Sequence, residues 1–443
     1  MANMMSAERQ KAADKTGYKT QTADQEIGSK TLEAREVSSE TDARWNILVF
    51  MGAGPVQNDP PLDAFVKADL EEIKTGLASG DWKDKVNVLV EIHGLGRPTR
   101  QHIGVDPEPL FVPDDGGGVD GRPVLAFLEW AIRKCKPRRH DHSLLVLWGH
   151  AYEFAIGRQQ TLSGVDGLDV AEFAGALRRF QELAKEAMDV QDPDYTPKLD
   201  IVGFDTCDAA TLELANQLEP FAKYLLASQI GVPLPGWTYD TIIQRLLDPR
   251  NQKVMSPADL GSFVVRKFAE RYSQPDLDRQ PRPVSLTLLD LARAPEAFDA
   301  AELLAGALAR ASASDPDEMQ TIVEQFVNAQ TIDGKPFIDV ADFCLNLSRN
   351  SSSTEVLEGA QILGDILIRP RPETGSNGRG SLIVEIGRNA HQTAKLHGVS
   401  LYAPLVVDEN DFDWRTSRFW YNKFDFTGET FWGRLVHVLA EAN

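Results

Sequence analysis

Cys207 and His150 are the two residues whose types and settings could do nucleophilic chemistry. Cys207 follows the apolar run Leu199 to Gly203 in the stretch LDIVGFDTCDAA. That run has the length and composition of a buried strand. A helix is expected to begin near Asp208 and to continue from Ala209 to Leu218. A cysteine between a strand's carboxyl end and a helix start stands at the crevice edge of an open α/β sheet, where such sheets place ligands and reactive groups. The helix end would favour thiolate over thiol. Asp205, two residues earlier, can line the same crevice. His150 follows a second apolar run, Ser143 to Trp148, and Gly149. Neighbouring parallel strands would bring the histidine and the cysteine face to face, as a thiol nucleophile and its base.

These residues need a sheet to hold them, and the chain supplies one. Trp45 to Met51, Val86 to Ile92, Ser143 to Trp148, Leu199 to Gly203 and Tyr224 to Ser228 read as strands. Helical patterns at Pro61 to Ala78, Val124 to Lys134, Leu168 to Lys185 and Ala209 to Leu218 separate them. Strand–helix alternation with near-continuous apolar strands predicts a doubly wound, mostly parallel sheet flanked by helices. Gly94 to Pro123 reads as a surface loop or hairpin excursion, and Ala151 to Gly167 as a loop. Residues 1–44 are polar and read as a disordered or weakly helical tail. Residues 45–255 hold the strand–helix repeats, and 256–443 form a smaller α+β region with strands at Val284 to Leu291, Ser381 to Ile386 and Gly398 to Ala403.

The chain has 443 residues, is 42% hydrophobic and carries a net charge of −20. That charge argues against nucleic acid and anionic membranes as partners. The three cysteines, Cys135, Cys207 and Cys344, are odd in number and far apart, which argues against a disulfide framework or a zinc site. No signal-peptide core and no membrane-length apolar segment is present, so a cytoplasmic location is expected. Cys135 and Cys344 read as packing residues, and the basic run Arg133 to His142 as a solvated connection.

The motifs resemble, in order, those of the clostripain family of cysteine peptidases, relatives of caspases, gingipains and legumains. WNILVFMGA resembles the opening strand, LLVLWGHAYEF the histidine motif and GFDTCDAA the cysteine motif. YLLASQ with GWTY, HGVSLYAP and FDFTGETFW resemble the segments that follow. The resemblance implies a caspase-like fold from Trp45 onward, with His150 as general base and Cys207 as nucleophile. It implies that Asp205 lies at the base of the specificity pocket, so that cleavage follows arginine or lysine in a protein or peptide substrate. The backbone amides of Ala151 and Cys207 would hold the oxyanion. Self-cleavage in the loop after the histidine strand is implied as well, with Arg158 the first candidate site and the Arg133 to Arg139 cluster the second. The thiol chemistry is expected to require no cofactor; the resemblance leaves calcium possible, and no spacing fixes a calcium site.

Two positions depart from the family pattern. Ala151 stands where glycine is usual, and Asp208 where an apolar residue is usual. A carboxylate beside the nucleophile would raise the thiol pKa. Two other readings stay open: a non-catalytic interaction module of the same fold, and a thiol hydrolase or acyltransferase acting on non-peptide substrates. The polar tail could also carry an activator or other partner.

Overall fold

A computed structural model describes residues 43–54, 61–112, 121–152, 155–161, 164–251, 253–273, 283–332, 335–368, 380–389, 393–403, 421–424 and 430–435. The strands are β1 (Trp45–Gly52), β2 (Val86–His93), β3 (Thr99–His102), β4 (Leu110–Phe111), β5 (His142–Gly149), β6 (Ala151–Tyr152), β7 (Ala155–Thr161), β8 (Gly164–Leu168), β9 (Leu199–Asp205), β10 (Ala222–Ala227), β11 (Ser285–Asp290), β12 (Thr331–Ile332), β13 (Lys335–Asp339), β14 (Ile383–Arg388) and β15 (Ser400–Tyr402). The helices are α1 (Asp63–Ala78), α2 (Gly121–Cys135), α3 (Val170–Ala187), α4 (Leu212–Leu218), α5 (Tyr239–Leu247), α6 (Pro257–Ser273), α7 (Ala294–Ser314), α8 (Pro316–Asn328), α9 (Val340–Asn350) and α10 (Thr354–Ile368).

The main sheet has nine strands in the order β14-β11-β10-β9-β5-β1-β2-β3-β4. The central run from β10 to β2 is parallel. β11 and β14 add antiparallel pairings at one side, and β3 and β4 at the other. β11 and β14 lie beyond residue 255, so the C-terminal region completes the same sheet. Strand side chains alternate between two apolar layers. In β1, Ile47, Val49 and Met51 face the layer that holds α1, α5 and α6. Leu48 and Phe50 face the layer that holds α2, α3, α4 and α7. Burial on both faces explains why these strands read as continuous apolar runs.

Several elements differ from the sequence expectation. Ala151 to Gly167 is not a loop: β6, β7 and β8 form a three-stranded antiparallel sheet. A second small sheet, β12-β13-β15, lies in the C-terminal half. The expected hairpin excursion after β2 is β3 with β4. Residues 113–120 of that excursion lie outside the described residues, as do residues 1–42 of the tail. Among the described residues, no helix is long and apolar enough to cross a membrane. No group of three or more His, Cys, Asp or Glu among them could hold a metal ion.

Candidate active site

The register of the central strands sets the geometry. β5 and β9 are parallel neighbours, and Trp148 pairs with Asp205. His150 and Cys207 therefore each stand two residues past the same rung, at the carboxyl edge of the sheet. Both are partly exposed there, whereas the strand residues behind them are buried. Gly149 makes the turn that leads to His150. Its φ is 138°, and a Cβ there would lie 2.3 Å from the carbonyl oxygen of Gly52 on β1. Only glycine permits that approach.

Cys207 is not at a helix start. α4 begins at Leu212 with Thr211 as its cap, whose side chain accepts from Leu214 N. Between them the chain is bent, and Asp208 takes a left-handed conformation at φ 57°. Ala210 is occupied in backbone pairing: its N–H donates to Ser228 O at 2.9 Å, and its carbonyl accepts from Ser400 N at 2.8 Å. The helix-end effect fades beyond the first turn, so α4 is no source of thiolate stabilisation at Cys207. The sulfur instead accepts from the N–H of Val232 at 3.4 Å. Asp208 is buried and ion-paired with Lys335, so its carboxylate is not an uncompensated charge beside the thiol.

Asp205 is 4% exposed. Its Oδ2 accepts from Trp237 N at 3.1 Å and from the Tyr239 hydroxyl at 3.0 Å. Its Oδ1 is buried and, among the described residues, has no hydrogen-bond partner. Gly236 lets the backbone close on this carboxylate: a Cβ at that position would lie 2.6 Å from Oδ2. The Trp237 ring packs where Gly203 of β9 leaves room, since a Cβ there would lie 2.6 Å from the ring. Burial pushes the Asp205 carboxyl up to about 7, against the opposing pull of the Trp237 and Tyr239 hydrogen bonds and of Arg271.

A second carboxyl lies nearby. Asp69 of α1 is buried and accepts from Trp148 Nε1 at 2.7 Å. Burial, followed by the charge of Asp205, pushes it up to about 8. Glu72 accepts from Tyr239 N at 3.0 Å and lies 3.3 Å from Arg271. Arg271 also donates to Trp237 O at 3.1 Å, and the Tyr272 hydroxyl donates to Gly236 O at 2.9 Å. The loop that closes over Asp205 is thus braced from α1 and α6.

Ala151 begins β6 and pairs with Ile156 of β7. Arg158 lies within β7, in a strand rather than the expected loop, and its side chain lies outside the described residues. The β7–β8 pairing shifts register between Ile156 and Gln159, which leaves Gly157 and Arg158 between the two paired stretches. The Arg133 to Arg139 cluster is partly structural. Arg138 and Arg44 both bind Asp141, and Arg139 lies over the Tyr195 ring. Cys135 and Cys344 are buried. Burial pushes the Cys135 thiol up to about 12 and raises that of Cys344 further.

Sequence reading missed Asp69, Tyr239 and Lys335. For Asp69 a signal existed: Val66, Asp69 and Ile73 share one helical face, so a carboxyl stood on an apolar stripe.

The family model for the clostripain family matches residues 56–436. The chain belongs to that family and is a cysteine protease. A secreted C11 cysteine protease from Bacteroides thetaiotaomicron, solved with an irreversible peptide inhibitor, is similar at TM-score 0.54 and 19% identity, covering 87% of this chain and 100% of that one. An inactive zymogen C11 protease from Parabacteroides distasonis is similar at TM-score 0.51 and 15% identity, covering 86% and 98%. At those identities the likeness is one of fold. Comparison with curated proteins gave no match.

Proposed function

We propose that this protease is an endopeptidase that cleaves after arginine or lysine, with Cys207 as nucleophile and His150 as general base. The observation that carries the specificity is Asp205 Oδ1, a buried carboxylate oxygen without a partner among the described residues. A buried charge is tolerated only when paired, and a guanidinium or ammonium from the substrate would pair it.

In the proposed reaction His150 takes the Cys207 proton and the thiolate attacks the scissile carbonyl carbon. The backbone N–H groups of Cys207 and Ala151 hold the oxyanion. His150 gives its proton to the departing amine as the C–N bond breaks, leaving a thioester. Water then gives a proton to His150 and adds to the thioester, and the acid leaves as the thiol reforms.

Self-cleavage after Arg158 is part of the proposal. Its support is the register break around Gly157 and Arg158, and the similar Parabacteroides distasonis fold that is an inactive zymogen. Chemistry that needs no cofactor, with calcium dependence left to the assay, and a cytoplasmic location complete the reading. The three cysteines are free, so the fold needs no oxidising compartment. Because the Bacteroides thetaiotaomicron protein is described as secreted, cell fractionation is the deciding measurement for location.

The test is a peptide panel that varies only the residue before the scissile bond, with and without calcium, using wild type and Cys207→Ala. Cleavage after Arg or Lys by wild type, lost by on the order of 10³-fold or more in the variant, is the expected result. Preference for a neutral residue would overturn the role of Asp205, and equal activity in Cys207→Ala would overturn the nucleophile.

A further inference from the structure

We infer that β13 positions the nucleophile, with Lys335 at one end holding Asp208 and Asp339 at the other holding the loop against which Cys207 rests. The inference builds on the reading of Cys207 as nucleophile. It concerns what keeps that residue in place and what charge surrounds it.

Two short segments shape the surroundings of Cys207. The first is its own turn, Thr206 to Ala210. The second is the loop Ser228 to Val232, after β10. They are bonded to each other: Asp208 N donates to Ile230 O at 3.4 Å, Ala210 N to Ser228 O at 2.9 Å, and Val232 N to Cys207 Sγ at 3.4 Å. Neither segment is helix or strand, so neither has a ladder of its own to hold it.

Both are tied to β13. Lys335, the first residue of β13, is ion-paired with the buried Asp208. Asp339, the last residue, is fully buried, and its Oδ2 accepts from Gln229 Nε2 at 3.0 Å. Gln229 also donates to Ser400 Oγ at 3.1 Å and accepts from Gly398 N. His397 contacts Asp339 Oδ1 through Nδ1 at 3.0 Å and donates its backbone N–H to Oδ2 at 2.6 Å. Asp339 also caps α9 by accepting from Asp342 N at 2.8 Å. One five-residue strand, fixed by a helix cap at its far end, therefore holds both segments.

The Lys335–Asp208 pair also sets charge. Asp208 occupies a left-handed position that strains a non-glycine residue, and it persists because the surroundings hold it. Removal of Lys335 would leave a buried carboxylate adjacent to the thiol. Among the described residues, the charged groups on the elements around Cys207 include His150 after β5, Asp205 on β9, Asp208 itself, Lys335 and Asp339 at the two ends of β13, and His397 ahead of β15. Of these, Asp208 is the one that directly follows Cys207 in the chain, and Lys335 is its ion-pair partner.

The experiment measures the pH profile of Cys207 alkylation by iodoacetamide, read at that residue by mass spectrometry. Cys135 and Cys344 are buried and report any unfolding. Lys335→Met is expected to move the alkylation midpoint up by about one unit, and Asp208→Asn, which leaves a cation without its carboxylate, to move it down. Lys335→Arg should keep the wild-type midpoint. In the double variant Lys335→Met with Asp208→Asn, the midpoint should return toward wild type while kcat stays low, because the tether is gone. Midpoints unmoved in both single variants, or moved in the same direction, would overturn the inference. Because alkylation does not require peptidase activity, that failure is separate from failure of the nucleophile assignment, which Cys207→Ala reports.

Discussion

The Tyr239 hydroxyl at the start of α5 donates to Asp205 at the end of β9, 3.0 Å away, and so occupies one oxygen of the carboxylate while the other has no hydrogen-bond partner among the described residues. This arrangement predicts a pH signature. Burial holds the Asp205 carboxyl near 7, so in the free enzyme it ionises around neutrality. A cationic substrate needs the ionised form. The ratio of kcat/KM for an arginine peptide to that for its citrulline isostere should rise as pH passes through about 7, because the isostere shares the dyad's own pH dependence. A flat ratio would refute the assignment. In Asp205→Asn the ratio should collapse by on the order of 10²-fold or more, in line with loss of one member of a buried charged pair.

The same carboxyls predict how stability depends on pH. Asp69 is raised to about 8 and Asp205 to about 7, from an ordinary value of 3.8. A raised acid binds its proton more tightly in the folded state than in the unfolded state. Stability from this source is full below the unfolded pKa and is lost as pH rises through the folded pKa. Tm should therefore fall between about pH 4 and about pH 8. Asp69→Asn should flatten that slope, and calorimetry across the window checks it. An unchanged slope would show that Asp69 ionises normally.

At Gly149, substitution should separate folding from chemistry. A Cβ in Gly149→Ala would meet the Gly52 carbonyl at 2.3 Å on a backbone of φ 138°. The expected cost is roughly 1–3 kcal/mol of stability. His150 is the next residue, so kcat should fall by more than tenfold even at temperatures where the variant is fully folded. Denaturant melts with matched kinetics measure both.

Arg158→Ala should abolish the shorter bands that active wild type is expected to produce on a denaturing gel. If fragments of the same size persist, the Arg133 to Arg139 cluster becomes the site to mutate next.

The sheet was legible because its central strands are buried on both faces and so present unbroken apolar runs. The placement of Cys207 and His150 at one edge of the sheet was legible because each lies shortly after the end of such a run. The helix expected at Asp208 failed because local apolar spacing cannot register that Ala210 is engaged by Ser228 of the loop after β10 and by Ser400 of β15. β7 was missed because its sequence, AIGRQQT, is too polar for a strand signal and its pairing is purely local. β13 and α9 run together without a break, with Asp339 serving both as the last strand residue and as the helix cap. KPFIDVADF therefore shows neither period clearly. Lys335 and Tyr239 could not have been placed from sequence, since their roles depend on which distant carboxylate packs beside them.

The dependence of the Cys207 turn on β13 and β15 also orders events during synthesis. A chain still on the ribosome exposes His150, Cys207 and Asp205 well before Lys335, Asp339 and Ser400 have been made. Until they arrive, the Cys207 turn has neither its ion pair nor the strand that braces its neighbouring loop. Assembly of the proposed centre thus waits on the second half of the chain.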